Sequence, residues 1–289
     1  MFYRDIICLA NSYKLGGRCV AGKDINEMNW VRPVSDSPTG ELSLQQINIA
    51  VGNHQEPRLF DIIRIPLLVP KPEYFQPENI LIDSATPWQI VGGYDQEGVN
   101  KLLDTPTSLW ENLGARNDRV STDILKSNPP LASLYFIKPS EFTLHNKIRE
   151  LGNLQTRAVF TYNDVQYDLV VTDPVIKEKF KEEGVGTYKF NRDVYICVSL
   201  GEEFHLEHYK LVASVFEIEN GLSANPKVKA YTFKEIRVDY PQAYAPWTAE
   251  DDRLLLKKFK DNCSIDEMAA FFQRKNGAIT SRLKKLGVI

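Results

Sequence analysis

Cysteine and histidine are scarce, at four residues each in a chain of 289. Cys8, Cys19, Cys197 and Cys263 contain no C-x-x-C pair, so neither a zinc-ligand set nor a disulfide framework can be read from their spacing. They read as reduced thiols of a cytosolic protein. Cys19 follows Arg18, and a neighbouring cation lowers a thiol's pKa, but no histidine stands near it in sequence to serve as a base. His54, His145, His205 and His208 form no H-E-x-x-H set. His205 and His208 have the spacing of a helical metal pair, yet "EEFHLEHY" reads as a loop between strands. No metal and no cofactor is expected. Long apolar runs are also missing. The opening "MFYRDIICLANSYK" carries Arg4 and Asp5, which excludes a signal peptide or membrane span there and makes a cytoplasmic location the expectation. The Walker order G-x-x-x-x-G-K-[ST] is absent.

What is present is an ordinary globular composition, 43% hydrophobic and 25% charged, at a length that accommodates two or three domains. The net charge of −3 gives no hint of a polyanionic partner, but its distribution does. Residues 247–289 hold nine Lys+Arg against six Asp+Glu, and the rest of the chain holds 26 against 32. The last seventeen residues, "QRKNGAITSRLKKLGVI", have five cations and no carboxylate. Such segregation speaks for an anionic partner of the tail.

Period-two patterns dominate up to about residue 240. "DIICLANS", "GRCVAGKDI" and "NWVRPVS" read as strands, with Pro33 marking an end or an edge. "LFDIIRIPLLV" alternates through Asp61 and Arg64. The Pro-rich stretch that follows reads as a long ordered loop with extended pieces. "TRAVFTYNDVQYDLVVTDP" is the clearest hairpin, turning at Asn163-Asp164. "PVIKEKFKEEG" is a short helix opened by Pro174 and closed before Gly184, with Asp173 as its N-cap or as an acid awaiting a partner such as Glu202 or Glu203. After a linker, "VDYPQAYAP", the period changes to 3.6. Thr248 and Ser264 read as N-caps, the latter with Glu267 in a capping box. Three helices result, with Leu255, Met268, Phe272, Ile279 and Leu283 among their core.

Residues 1–240 resemble the dual OB-containing domain family of prokaryotes, through "CLANSYKLGGRCVAG" and "WVRPVS" in the first half and "FTYNDVQYDLVVTDP" and "YICVSLGEEFHLEHYKLVASVF" in the second. Residues 247–289 resemble a Myb/SANT-like helix-turn-helix through "PWTAEDDRLL" and "SIDEMAAFFQRKNGAITSRLKKLG", with Trp247 the lone tryptophan of that pattern. The resemblances imply a mainly β chain: two tandem OB-like β-barrels, at 1–140 and 141–240, followed by a small three-helix helix-turn-helix domain at 247–289. They also imply a nucleic-acid binder, used as a sensor in prokaryotic defence.

On that reading, Ser12, Lys14 and Arg18 surround a glycine pair in a loop that either grips an anion or simply turns between two strands. Trp30 and Arg32 share one face of a strand and make a stacking platform, or a core tryptophan beside a rim arginine. Tyr209 and Lys210 are the equivalent pair in the second barrel, where alternation lets only one face a ligand. In the tail, Arg274, Lys275, Asn276, Thr280, Ser281, Lys284 and Lys285 would meet the DNA major groove. The expected partner is nucleic acid, DNA rather than RNA, without a membrane. The alternatives are a nucleotide-processing enzyme or nuclease, and a protein-binding adaptor.

Overall fold

The computed structural model describes residues 1–49, 56–111, 116–148, 154–218, 241–242 and 247–288. His54 and most of the linker at 238–246 lie outside them. The chain divides into two compact units, Met1–Gly221 and Leu222–Ile289.

The first unit begins with β1 (Phe2–Lys14), β2 (Gly17–Asp24), β3 (Trp30–Val34), β4 (Asp61–Pro70), β5 (Asn79–Ile82) and β6 (Gln89–Gly93). β1 is long enough to serve two neighbours. Phe2 to Ile7 pair with β4, and Ile6 to Lys14 pair with β2. A bulge between Cys8 and Ala10 bends the strand between those duties. The order β1-β2-β3-β5-β4 therefore returns to β1 and closes a five-stranded barrel, with β3 and β5 parallel and β6 added outside β4. Alternate residues Ile6, Cys8, Val20, Ile63 and Ile65 fill it, together with Trp88. Gly22 lets β1 and β2 approach, since a Cβ there would stand 2.1 Å from the Ile7 carbonyl oxygen. The glycine-pair loop is a two-residue hairpin turn, Leu15-Gly16, with φ of 46° and 87°. Pro33 lies in β3 where pairing with β2 has ended at Val31 and pairing with β5 has begun, so its missing N–H interrupts no ladder with β2.

The second sheet comprises β7 (Arg119–Ser121), β8 (Leu134–Ile137), β9 (Ser140–Ile148), β10 (Leu154–Tyr162), β11 (Val165–Val171), β12 (Gly186–Lys189), β13 (Val194–Phe204) and β14 (Glu207–Glu217). It starts ahead of the boundary expected at residue 141. The β10–β11 hairpin turns at Asn163 and Asp164, both at positive φ (48° and 62°), as a type I′ turn requires. Helix α1 (Thr122–Ser127) follows β7, and α2 (Pro174–Glu183) follows β11. The order is β12-β9-β10-β11-β14-β13-β8, with β11 and β14 parallel and β7 on β14.

This corrects the expectation of two tandem barrels. Only the first sheet closes. In the second, β9-β10-β11-β14-β13 repeats the strand order of the first barrel, but the last pairing is missing. β9 takes β12 as its second neighbour, and β13 takes β8. The physical reason is twofold. Both edges that would meet are already hydrogen-bonded to an extra strand. The interior is also swollen by large side chains, with Phe142, Phe160 and Tyr167 joined by Phe75, Leu109 and Trp110 from outside the sheet. A wider core needs more strand around it.

The outer face of β1–β3 packs on the outer face of β8 and of those parts of β13 and β14 that carry Tyr195, Cys197, Ala213 and Phe216. Ile7, Leu9 and Ala21 meet Phe136, Tyr195, Cys197 and Ala213. Two polar clusters sit in this contact. Asp104 accepts from Lys23 Nζ (2.6 Å), Trp30 Nε1 (3.0 Å) and the Phe136 amide (2.8 Å). Arg32 lies 3.1 Å from Glu78 through Nε and donates through Nη2 to Ser133 Oγ at 2.7 Å, and Ser133 Oγ in turn donates to Glu78.

The second unit contains α3 (Ala249–Lys260), α4 (Ile265–Phe271) and α5 (Asn276–Lys285). Thr248 with Asp251, and Ser264 with Glu267, form capping boxes. Leu255, Met268, Ala269, Phe272, Ile279 and Leu283 make the core.

Glu78→Gln leaves the Arg32 guanidinium, 2% exposed, without a counter-charge. We expect a loss of about 3 kcal/mol in urea unfolding of the full chain. A loss below about 1 kcal/mol would show that the pair is not what seals this contact.

Candidate nucleic-acid interface

In an OB fold, strands two and three and the loops between strands one and two and between four and five carry the ligand. In the first barrel those strands are β2 and β3, and their outer face is the one packed on the second sheet. Trp30 is half-buried, with its indole N–H on Asp104 and Lys23 5.5 Å from its ring. Arg32 is buried. Ser12 is 4% exposed. Lys14 reaches across to Glu202 at 2.6 Å. Arg18 is gripped bidentately by Glu56, at 2.8 and 2.9 Å, and lies 4.6 Å from the Tyr13 ring. These five residues are thus spread over the barrel–sheet contact and its rim, not gathered on one open surface.

The corresponding strands of the second sheet, β10 and β11, keep their outer face in solvent. Alternation fixes which side chains occupy it. Tyr167, Leu169 and Val171 point to the core, so Gln166, Asp168 and Val170 point out. The register then carries one row across neighbouring strands: Lys189 opposite Thr143, Thr143 opposite Val159, and Val159 opposite Asp168. Two residues back from the Val170–Leu211 pairing of β11 and β14, Tyr209 continues the row, and Arg119 of β7 pairs with Tyr209. A parallel row holds Thr187, His145, Arg157 and Val170. Six strands at about 4.8 Å spacing make a band roughly 24 Å across.

Tyr209 and Lys210 separate as alternation demands. Tyr209 is half-buried on the outer face, with the Arg119 guanidinium 4.4 Å from its ring centre and Nη1 donating to its hydroxyl at 2.8 Å. Lys210 turns inward, 4% exposed, its ammonium 5.5 Å from the centre of the Tyr167 ring. Burial pushes its pKa down to about 8. Arg119 and Arg157 are each held by a carboxylate, Asp118 at 2.9 Å and Asp168 at 2.6 Å, while Lys147 and Lys189 have no ion-pair partner among the described residues. Where β9 and β13 fail to meet, a cleft of about 600 Å³ opens beside Lys189. Its lining includes Phe142, Phe190 and Arg192, with Glu141 and a Lys138–Asp193 ion pair at 2.7 Å. The sequence reading missed Arg119, Arg157 and Lys189. The alternation of β10 and β11 would have given Arg157. Nothing local marks "GTYK" as a strand, so Lys189 depended on knowing that β12 pairs with β9.

Other candidates resolve locally. Asp173 accepts from the Val175, Ile176 and Val215 amides, which makes it the α2 cap and a tie to β14. His208 is fully buried in β14, with its Nδ1 on the Gly201 carbonyl and its Nε2 on the Tyr74 hydroxyl, whereas His205 meets Phe204 edge to face in the turn. Glu203 accepts from Thr122 at 3.0 Å. No group of three His, Cys, Asp or Glu side chains placed to hold a metal occurs among the described residues. Among them, too, no helix is long and apolar enough to cross a membrane.

In the second unit, Gly277, Ser281, Lys284 and Lys285 are exposed along one side of α5, and Lys275 is exposed at the extended N-cap position before it. Asn276 is exposed and donates to Asp266. Thr280 is half-buried and bonds to the Asn276 carbonyl at 3.1 Å. Arg274 is 4% exposed and lies against Trp247 at 4.4 Å, so it serves the core of the unit. Arg282 is bound by Asp252 at 2.6 and 2.7 Å.

Residues 4–215 match the model of a family described as "Dual OB-containing domain". No curated protein matches the chain.

Lys210 gives the first unit a pH signature. Its folded pKa of about 8 lies below the ordinary lysine value near 10.4. Between those values the unfolded chain binds more protons, so this residue makes stability rise with pH from about 8 to 10. The difference in unfolding free energy between wild type and Lys210→Met, measured across that window, should narrow as pH rises. A constant difference would mean that the amine titrates normally.

Proposed function

Starting from a chain that belongs to the dual OB-containing domain family, we propose that it binds nucleic acid at two places: single strands on the outer face of the second sheet, and duplex DNA on α5. An OB-fold architecture is consistent with nucleic-acid binding in general terms. The observation that carries the finer reading is the inequality of the two sheets. The first barrel's ligand face is closed off by the second sheet, and the second sheet's equivalent face is open, with an arginine-stacked tyrosine on it.

The chemistry suits a single strand. Every base has a π-face to offer Tyr209, and the cleft beside Lys189 adds two phenylalanines at one end of the band. Lys147 and Lys189 are available to phosphates, while Arg119 and Arg157 must exchange a carboxylate for a phosphate oxygen. Fewer ions are therefore displaced than the number of cations suggests, and the salt dependence should be moderate. The tail follows different physics. An exposed helix with Lys275, Lys284 and Lys285 around the small residues Gly277 and Ser281 can enter a B-form major groove closely. The deep, narrow groove of A-form RNA would not admit it, and this favours DNA.

Fluorescence polarization with labelled single- and double-stranded DNA tests both parts. Tyr209→Ala combined with Lys189→Glu should weaken single-strand binding about tenfold, in line with roughly 1–3 kcal/mol per stacked base, and leave duplex binding in place. Lys284→Glu with Lys285→Glu should do the reverse. Absence of binding to either DNA by wild type at low salt removes the proposal.

A further inference from the structure

A cavity of about 790 Å³ lies between the barrel and the second sheet. β1, β2 and residues 56–59 supply one wall, and the start of α2 with the end of β14 supplies the other. Its volume is that of a small-molecule site. Its walls are mainly apolar, with Leu59, Val175, Ile176 and Phe216 prominent among them. Pro57 and Pro174 add two apolar ring faces. Phe216 is held in place by Phe60, with ring centres 4.4 Å apart, so an aromatic face is presented in a fixed orientation.

The rim is cationic and built. Arg18 is doubly anchored, by Glu56 through Nε and Nη2 and by the Tyr13 ring, which leaves Nη1 and the second Nη2 hydrogen for a ligand. Arg58 uses its backbone amide on Asp61, and its guanidinium has no ion-pair partner among the described residues. Past Pro174 the cavity runs into a groove of about 340 Å³ lined by Tyr13, Lys177 and Lys181. There Lys177 lies 5.0 Å from the same Tyr13 ring that stacks on Arg18. Against these four cations stand Glu56, already shared with Arg18, Asp173, whose carboxylate is taken by the Val175, Ile176 and Val215 amides, and Glu178, 3.5 Å from Lys181.

We propose that this cavity binds a nucleoside phosphate, its base between Phe216 and the proline faces and its phosphates on Arg58, Arg18 and Lys177. An apolar slot suits a planar ring, and an anchored guanidinium beside a free one suits phosphoryl oxygens. The ligand would touch both the barrel and the second sheet and so clamp the two together. The same chemistry could arrive as a free nucleotide or as the phosphorylated end of a strand. Neither source uses Tyr209 or α5, so this site stands apart from the polymer-binding surfaces proposed above.

The test uses the full-length chain carrying Tyr209→Ala, which removes the outer-face stack. Titration calorimetry and thermal shift with ATP, AMP, adenosine and inorganic phosphate read the free source. A 5′-phosphorylated oligonucleotide against its 5′-hydroxyl form reads the strand-end source. We expect AMP or ATP to bind and raise the Tm, with adenosine and phosphate each at least tenfold weaker. Preference for the 5′-phosphorylated oligonucleotide would assign the site to strand ends and equally support it. Arg58→Glu, an exposed change, and Val175→Trp, which fills the slot from a residue 74% exposed, should each weaken binding at least tenfold while Tm without ligand stays unchanged. The proposal is overturned if neither source binds at millimolar concentration, or if both variants bind as the parent does.

Discussion

A buried guanidinium must find its counter-charge inside the protein, and Arg32 finds Glu78 at the contact between the barrel and the second sheet. Ser133, from the segment entering β8, bridges the two. Asp104 does similar work for Lys23 and Trp30 a short way along the same contact. Arg32 on β3 and Glu78 just before β5 both belong to the barrel and take Ser133 from the other side, whereas Asp104 joins Lys23 and Trp30 of the barrel to the Phe136 amide of β8, so both clusters are complete only when the two sheets are docked. Apolar packing of Ile7, Leu9 and Ala21 on Phe136, Tyr195 and Ala213 supplies the bulk attraction, which is non-directional. The Ser133 bridge and the Asp104 contacts supply register, since a small slip would break hydrogen bonds to desolvated charged groups.

Functional consequences follow from that docking. It covers the outer face of β2 and β3 and consumes the very side chains, Trp30 and Arg32, that would otherwise make a stacking platform. In the second sheet it covers β8 and the parts of β13 and β14 around Tyr195, Cys197 and Ala213, and leaves the Tyr209 part of β14, with β10, β11 and their neighbours, outside the contact. One strand order, repeated twice, therefore yields one closed and structural barrel and one open sheet with a free face. The missing pairing between β9 and β13 adds a cleft at the edge of that face, and the rim between the two sheets leaves the larger cavity.

Much of the local structure was legible. Period-two alternation marked β10 and β11, and Asn163-Asp164 marked their turn, because only residues tolerant of positive φ suit a type I′ hairpin. Pro174 and Gly184 bracketed α2 for equally local reasons. Thr248 and Ser264 opened their helices by satisfying amides three residues on. The Leu15-Gly16 turn was legible as a turn, and the choice between turning and gripping an anion was not, because Lys14 and Arg18 found carboxylates far along the chain. "GTYK" offered too short a pattern to be read as the strand that blocks closure.

What the sequence determined by itself was whatever depends on a few neighbouring residues: strand faces, hairpin turns, helix caps, the three-helix core of the tail, and the segregation of charge toward the C-terminus. Alternation even decided that Tyr209 and Lys210 would part company. Only the tertiary structure decided which of two outward-looking faces stays outward, because burial of Arg32 is set by Glu78 and Ser133, 46 and 101 positions away, and no local pattern carries that distance.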